Sequence, residues 1–281
     1  MKPKSIIRSG IRALYLCVFL AGIVAHVYAA SSVEIVEIPH SGLNRELPAL
    51  VVLPKTYSQN EQRFPAIYLL HGYGGNHATF SRVCNLKEYA DSFDIILVCP
   101  DGNYNSWYLD SPVKKKSQFA SYIIHDVVPF IDRHFRTIAD ASGRAIVGSS
   151  MGGHGALTLL ARYPDHFNGA GSISGILDIT VFPHEWDMAR ILGSYTRNIT
   201  TWQRHSFFYM LKSLVGKEKA IIIDCGTSDF ALSVNRAAHA KMKKLGIDHA
   251  YFERPGWHSY KYVQKVLGQH LAFLAARLRK E

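Results

Sequence analysis

Cysteine is scarce in this 281-residue sequence, which contains four, at positions 17, 84, 99 and 225. Three remain if the first 29 residues are cleaved off, as their pattern predicts, and three cysteines permit at most one disulfide, with Cys84 and Cys99 the candidate pair. Their number and spacing fit neither a zinc site nor a small disulfide-stabilised fold. A hydrophobic core therefore has to stabilise the fold, and 48% of the residues are hydrophobic.

Signatures of several other protein classes are also missing. The glycines of "HGYGGNH" do not form a dinucleotide-binding motif, and no histidine or carboxylate set has metal-ligand spacing, so we expect no cofactor and no metal. Without repeats or a Pro/Ser-rich linker, residues 30–281 are expected to form one domain. The dense basic run at residues 114–116 is typical of a solvated loop, and we expect no nucleic-acid partner.

The N-terminal apolar run, "ALYLCVFLAGIVA", is shorter than the ~20 residues that a membrane-spanning helix needs. It follows the basic residues Lys2, Lys4, Arg8 and Arg12 and precedes "VYA", which ends at Ala29. This order is typical of a cleaved signal peptide over residues 1–29. We therefore expect export to the periplasm or the medium, without stable membrane insertion, and a formal charge that falls from +10 to +6 on cleavage. The oligomeric state stays open.

Short apolar runs alternate with helical patterns along the rest of the chain. Two strands are predicted at "VEIVEI" and "LPALVVLP", followed by continuous apolar runs at "AIYLLHG", "DIILVCPDG", "RAIVGSS", "NGAGSISG", "KAIIIDCG" and "HAYFERPG". Helices are predicted at residues 78–90, 117–135, 153–163, 232–245 and 260–280. This alternation predicts an α/β fold with a doubly wound, mostly parallel sheet and helices on both faces. Functional groups should then gather at the carboxyl ends of the strands.

Residues 177–217 interrupt this alternation with an irregular, aromatic-rich segment after the sixth strand. We interpret it as a small insertion that lies over the sheet and shapes a substrate pocket. The alternative is a packed excursion of the chain without a role in binding.

The stretch "IVGSSMGGHGAL" carries the clearest chemical motif. Gly148, Ser150 and Gly152 form the pattern G-x-S-x-G between a buried strand and a helix, which is the context of a nucleophile elbow. The sharp turn strains the serine backbone and pushes its hydroxyl into a cleft, and small flanking residues avoid a collision. Ser150 is therefore the candidate nucleophile, and the alternative is a tight turn without chemistry.

A serine nucleophile needs a base, and the base needs an acid that orients it. In folds with this elbow the acid and then the histidine follow the serine along the chain. His258 comes directly after the last predicted strand, whereas His239 and His270 fall in predicted helices and His249 opens a strand. His258 is thus the candidate base.

The acid has three candidates. Asp229 lies in the loop after the seventh predicted strand and is favoured, because Asp224 still belongs to that strand and is more typical of a structural hydrogen bond. Asp178, in "SGILD", is a distant third.

The oxyanion formed during acyl transfer needs preorganised donors. One candidate is the backbone N–H of Met151, at the N-terminus of the helix that follows Ser150. The other is the N–H of Tyr73 in the turn "LLHGYGGN", which His71 and Gly72 shape; the alternative is a turn without a donor role.

Several ordered stretches resemble the esterase family of α/β-hydrolases that includes esterase D (S-formylglutathione hydrolase), tributyrin esterases, secreted acetyl-xylan and feruloyl esterases and the antigen 85 mycolyltransferases. The resemblance runs from about residue 33 to the C-terminus, through "AIYLLHGYGGNHATF", "PDGNYNSWYLDSP", "YIIHDVVPFIDRHFRT", "RAIVGSSMGGHGALTLLARYPDHFNGAGSISGILDI", "IIIDCGTSDF" and "HAYFERPGWHSY". It implies an α/β-hydrolase fold and the same five groups: Ser150, His258, Asp229 and the amides of Tyr73 and Met151.

The resemblance also implies that Trp107 and Tyr108 lie near the substrate pocket. Many relatives have G-G-H-x-W-x-x-W around the histidine, whereas this chain has "GWHSYKYV". Trp257 precedes His258, Tyr260 takes the first tryptophan position and Val263 the second. We therefore predict Trp257 and Tyr260, together with His71 of the turn, as further pocket residues and transfer no substrate from any one relative.

Together these patterns predict an exported serine carboxylesterase. Its expected substrates are acetyl or hydroxycinnamoyl groups on carbohydrate, or small short-chain esters, whereas S-formylglutathione is a cytosolic thioester and disfavoured. One alternative is an acyltransferase, in which an alcohol replaces water in the second step. A less favoured alternative is a catalytically silent carbohydrate-binding protein that keeps the fold.

Overall fold

The computed structural model describes residues 31–279, which form an eight-stranded sheet with helices packed on both faces. The predicted signal peptide over residues 1–29 lies outside these residues. The strands are β1 (Ser32–His40), β2 (Arg45–Leu53), β3 (Ala66–Leu70), β4 (Ile96–Pro100), β5 (Arg144–Ser149), β6 (Gly169–Ile173), β7 (Ala220–Gly226) and β8 (Ala250–Arg254).

The strand order in the sheet is β1-β2-β4-β3-β5-β6-β7-β8. β2 pairs antiparallel with both β1 and β4, and the neighbours from β4 to β8 are all parallel. Strands β3 to β6 are fully buried, as their continuous apolar runs predicted, whereas the edge strand β8 is half-buried. The predicted mostly parallel α/β-hydrolase fold is confirmed.

The α-helical segments are α1 (Thr79–Val83), α2 (Leu86–Phe93), α3 (Phe119–Ser121), α4 (Val128–His134), α5 (Met151–Arg162), α6 (Ala189–Leu192), α7 (Ile199–Arg204), α8 (Phe207–Met210), α9 (Leu232–Lys244) and α10 (Tyr260–Ala275). One turn of π-helix, Tyr122–Val127, joins α3 to α4. Among the described residues no helix combines the length and the apolar character needed to cross a bilayer.

The helix predicted at residues 78–90 is instead two short helices. The chain is extended at Cys84, and the Asn85 side chain accepts a hydrogen bond from the Glu88 amide, so that Asn85 caps the start of α2. A capping residue inside an apolar pattern ends one helix and begins another, which the periodicity alone did not reveal.

The three cysteines of the described residues are free thiols. The disulfide considered between Cys84 and Cys99 is therefore not formed. Cys99 is buried in β4 and Cys225 in β7, and burial raises the pKa of both thiols. They contribute to the core as small apolar side chains.

Helix α5 lies unusually close to the sheet because glycines face it. A Cβ atom added to Gly152 would overlap the carbonyl oxygen of Leu70 at the end of β3, and one added to Gly155 would lie 2.7 Å from a ring carbon of Tyr108. A Cβ atom added to Gly148, at the end of β5, would overlap the backbone of Gly152. Helix and strands therefore meet backbone to backbone at the carboxyl edge of the sheet.

The segment between β6 and β7 contains short helices, α6 to α8 with intervening turns, rather than another strand and long helix. It is anchored by buried aromatic side chains: Trp202 and Phe207 are fully buried, and the Trp202 ring N–H donates to the Gly193 carbonyl at 2.9 Å. Its residue Trp186 reaches the carboxyl edge of the sheet, where it lines a cleft.

The close approach of α5 predicts a large cost for a single methyl group. Gly152→Ala should lower the free energy of unfolding by about 2 kcal/mol or more, because the overlap with backbone exceeds the ~1 kcal/mol that alanine gains over glycine in a helix. Gly268→Ala in α10 is the matched control, since its nearest obstacle is the edge of the Tyr89 ring at 3.1 Å. Urea unfolding measures the free energy of unfolding of both variants. Equal midpoints for the two would contradict the close backbone contact at Gly152.

Candidate active site

Ser150 occupies the sharp turn between β5 and α5. Its backbone is strained, with φ 55° and ψ −117°, and its N–H donates to the Ile173 carbonyl of β6 at 2.9 Å. Such conformations cost on the order of 1–3 kcal/mol for a residue with a side chain and persist where the surrounding structure enforces them. Here the contact of Gly148 with Gly152 enforces the turn, and the Ser150 side chain lines a cleft.

The structure brings Ser150, His258 and Asp229 into one hydrogen-bonded chain. The His258 Nε2 atom lies 2.9 Å from the Ser150 Oγ atom, and its Nδ1 atom lies 2.9 Å from both Asp229 carboxylate oxygens. Because a carboxylate only accepts, Nδ1–H donates to Asp229 and Nε2 accepts from the serine hydroxyl. Asp229 follows β7 and His258 follows β8, so both come from the carboxyl ends of neighbouring strands.

The Asp229 carboxylate is shielded from solvent, with a side-chain exposure of 0%. Burial raises its pKa, but the hydrogen bonds from His258 and from the Ala231 amide, at 2.8 Å, lower it more. The pKa of Asp229 therefore lies below its usual value, and the carboxylate is ionised where an imidazolium would form.

Asp224 and Asp178 lie elsewhere and have other partners. Asp224 is fully buried in β7, where it accepts from Arg254 Nε at 2.7 Å and from the Tyr262 hydroxyl. Asp178 accepts from the Thr180 amide at 3.0 Å and so begins a short 3-10 turn. Both carboxylates thus have structural hydrogen bonds, as the sequence favoured for Asp224.

The other late histidines do not reach Ser150. The ring nitrogens of His239 and His249 lie 2.8 Å apart near the N-terminal end of β8, whereas His258 follows its C-terminal end. His270 is fully buried in α10, against Gly171 of β6, and burial lowers its pKa to about 3. Both locations agree with their predicted positions in helices or at a strand start.

The backbone amides of Tyr73 and Met151 are the candidate oxyanion donors. Tyr73 lines the cleft, and Met151 directly follows Ser150. Met151 begins α5, so its N–H lacks an acceptor within the helix, and neither amide has an acceptor among the described residues. Tyr73 lines the cleft together with Gly72. A Cβ atom on Gly72 would stay 3.4 Å from its neighbours, so this glycine, unlike Gly148 and Gly152, is not sterically required.

His71 holds the turn that carries Tyr73. Its Nε2 atom accepts from the Gly102 amide at 2.9 Å, and its Nδ1 atom therefore donates to the Gly72 carbonyl at 2.8 Å. Burial lowers the pKa of His71, which keeps the imidazole neutral and this pair of hydrogen bonds intact. The Tyr108 hydroxyl donates to the His71 carbonyl at 3.2 Å, so the turn is fixed from both sides.

The cleft over Ser150 has a volume of about 300 Å³, and the rings of Trp186, Phe230 and His258 form an aromatic wall along it. The Phe230 ring lies 4.4 Å from the His258 ring and 5.9 Å from the Trp186 ring, measured between centroids. The remaining lining residues are Gly72, Tyr73, Ser149, Ser174, Ser259, Tyr260 and Val263. This wall therefore lies beside the Ser150 hydroxyl.

Four of the predicted pocket residues do not line this cleft. Trp107 and Tyr108 are both 1% exposed and lie one layer behind it, because Trp107 packs on Trp186 and Tyr108 on Gly155. His71 is buried beneath the turn. Trp257 is turned outward and 72% exposed, whereas Tyr260 does line the cleft.

Sequence reasoning missed Trp186, Phe230 and Ser174 as lining residues. Phe230 directly follows Asp229, so its proximity could have been inferred from the motif "SDF". Trp186 was contained in the aromatic-rich segment, but no pattern singled it out. Ser174 follows β6 with a left-handed φ of 53°, which a sequence does not reveal for serine.

Among residues 31–279, the structure holds no group of three or more His, Cys, Asp or Glu side chains arranged to bind a metal ion. The side chains that converge on the cleft are instead a hydroxyl, an imidazole and a carboxylate.

The fold and this site define an α/β-hydrolase whose serine, histidine and aspartate are placed as a triad. Residues 41–274 match the model of the family described as "Putative esterase". The chain belongs to this esterase family, and the resemblance stated from the motifs is confirmed.

Individual relatives agree with this assignment. An esterase of Mycobacterium tuberculosis is 29% identical over 259 residues, which cover 82% of this chain and 56% of that protein. An acetyl esterase of Caldicellulosiruptor saccharolyticus is 25% identical over 260 residues, or 83% of this chain and 94% of that protein. A solved ferulic acid esterase has a TM-score of 0.75 at 26% identity, covering 88% of this chain and 98% of that one. This chain thus spans little more than half of the mycobacterial esterase.

The geometry predicts that replacing Asp229 lowers activity, whereas replacing Asp224 lowers stability. Asp229→Asn should lower kcat for a small ester by about 10³- to 10⁴-fold, because the amide no longer orients and stabilises the imidazolium. Asp224→Asn should keep its activity but lower the free energy of unfolding by about 2 kcal/mol, because Arg254 loses its charged partner. Kinetics below the unfolding temperature and urea unfolding separate the two effects. Full activity in Asp229→Asn, with loss in Asp224→Asn, would reverse the assignment.

Proposed function

We propose that this protein is a serine carboxylesterase that cleaves esters through an acyl-enzyme. The observation that carries the proposal is the chain of 2.9 Å contacts from Ser150 through His258 to Asp229. The two amides without acceptors, on Tyr73 and Met151, supply the second requirement of acyl transfer, which is a site for the oxyanion.

In the first step the Ser150 oxygen attacks the ester carbonyl carbon while its proton passes to His258 Nε2. The carbonyl oxygen becomes an oxyanion that the N–H groups of Tyr73 and Met151 stabilise, each contributing about 3 kcal/mol. The ionised Asp229 accepts from Nδ1–H throughout and stabilises the imidazolium without taking its proton.

In the second step the carbon–oxygen bond to the alcohol breaks and His258 gives its proton to the departing alkoxide. A water molecule then transfers a proton to His258 Nε2 and attacks the acyl carbon. Collapse of this second tetrahedral species returns the proton to Ser150 and releases the carboxylic acid.

The substrates that we propose are acetyl or hydroxycinnamoyl esters of carbohydrates, with small short-chain esters as further substrates. The aromatic wall formed by Trp186 and Phe230 supports an acyl or alcohol part with an apolar face. The names of an acetyl esterase and a ferulic acid esterase among the relatives support the same class. A panel of acetyl, butyryl and feruloyl esters, free and on xylan oligosaccharides, should show higher kcat/KM for the carbohydrate-linked members. Equal or lower values would contradict this substrate class.

We also propose that the protein is exported, because of the basic and apolar pattern of its first 29 residues. Expression of the full chain in a bacterial host should then give a protein outside the cytoplasm that begins near Ala30. N-terminal sequencing measures this, and an uncleaved chain confined to the cytoplasm would refute export.

The esterase proposal predicts that Ser150→Ala removes activity without unfolding the protein. Hydrolysis of 4-nitrophenyl acetate should fall by about 10⁴-fold or more, because the nucleophile is gone while the fold does not depend on one hydroxyl. Ser81→Ala, an exposed change on α1, is the matched control and should keep wild-type turnover. Retained turnover in Ser150→Ala, with an unchanged circular dichroism spectrum, would refute the proposal.

A further inference from the structure

A second concavity lies beside the cleft, where α10 begins. It has a volume of about 380 Å³, and its lining includes Trp257, Lys261 and Lys265 above the buried side chain of Tyr262. We refer to these four residues as the Trp257 hollow. Ser259 lines both this hollow and the cleft over Ser150. A substrate bound across Ser259 could therefore occupy both at once.

Trp257 is exposed to an unusual degree for a tryptophan. It is 72% exposed, although the next residue, His258, lines the cleft. Large exposed aromatic groups beside a cleft commonly mark a binding surface. Its indole offers a flat apolar face of the kind that stacks on the C–H face of a sugar ring.

The base of the hollow is rigid. Gly256 packs so closely on Tyr262 that a Cβ atom there would overlap the ring, and the Tyr262 hydroxyl donates to Asp224. Tyr262 is 3% exposed. The shape of the hollow is thus set by buried contacts and does not depend on a ligand.

The hollow also carries unbalanced positive charge. Lys261 and Lys265 are four residues apart on α10, hence on the same helix face, and both are exposed. In the described part of the chain neither has a carboxylate within 4.0 Å of its ammonium group. Lys265 donates to the Pro255 carbonyl at 3.2 Å, which leaves further donors on the same nitrogen.

We propose that the Trp257 hollow binds an acidic sugar in the alcohol part of the ester substrate. The sugar ring lies against Trp257 and its carboxylate lies beside Lys261 and Lys265, while the acyl group extends past Ser259 to Ser150. A neutral sugar would leave both lysines without a counter-charge, so the charges favour a uronic acid over a neutral hexose. This inference rests on the proposed esterase function and specifies its substrate.

The kinetic test uses an acetylated oligogalacturonide and the same compound with its carboxylates reduced to alcohols. The wild-type protein should have the higher kcat/KM for the acidic compound. Lys261→Gln/Lys265→Gln should lower that value about fivefold to tenfold, as expected for two exposed charge contacts, and leave the reduced compound unaffected. Lys243→Gln/Lys244→Gln on α9 is the matched control, since it removes the same charge from an exposed surface outside the hollow. Equal kcat/KM for the two compounds in the wild type would overturn the proposal.

A binding test separates this inference from the esterase function. Calorimetry with the Ser150→Ala protein and unacetylated oligogalacturonide requires no catalysis. Binding should be lost in Trp257→Ala, whereas Trp257→Phe should retain it. It should also weaken in 0.5 M salt, because the Debye length there is about 4 Å and the charges are screened. Absence of binding, or equal binding of the reduced oligosaccharide, would overturn the proposal. Failure of the wild type to hydrolyse 4-nitrophenyl acetate would instead refute the esterase function and leave the binding result standing.

Discussion

The backbone contact between α5 and the ends of β3 and β5 is the constraint on which the site depends. Gly148 and Gly152 allow it, because a side chain at either position would overlap main-chain atoms. The same approach forces the strand to turn sharply, which holds Ser150 at φ 55° and leaves the Met151 amide at the open end of the helix. One steric contact thereby places the candidate nucleophile and one candidate oxyanion donor beside each other.

The other two groups depend on the pairing of β7 with β8. Asp224 of β7, Arg254 of β8 and Tyr262 of α10 are joined by hydrogen bonds beneath the site. Above them the loops that follow the two strands bond to each other, since the Ser228 amide donates to the Gly256 carbonyl at 3.0 Å. Asp229 and His258 lie in these loops, so the bond between the loops supports their 2.9 Å contact, whereas the ionic network beneath takes no part in the proposed chemistry.

The sequence was sufficient to predict the sheet, its carboxyl edge and the three residues that meet there. These predictions depend on local patterns: continuous apolar runs, the glycine spacing around Ser150, and the positions of Asp229 and His258 just after strands. The surroundings of the cleft were less predictable. Trp107 was expected near the pocket, but it is buried behind Trp186, which lies 79 positions later in the chain and contacts it only in the folded protein. The outward position of Trp257 and the free thiols likewise depend on tertiary packing.

Labelling with a fluorophosphonate tests the central claim most directly, because this reagent reacts with a serine hydroxyl only when a base activates it. Mass spectrometry of the digested wild-type protein should find one phosphonyl group per chain, on the peptide that contains Ser150. His258→Gln should label far more slowly, since Nε2 no longer accepts the serine proton. Labelling at another residue, or equal labelling of the His258→Gln protein, would contradict an activated Ser150.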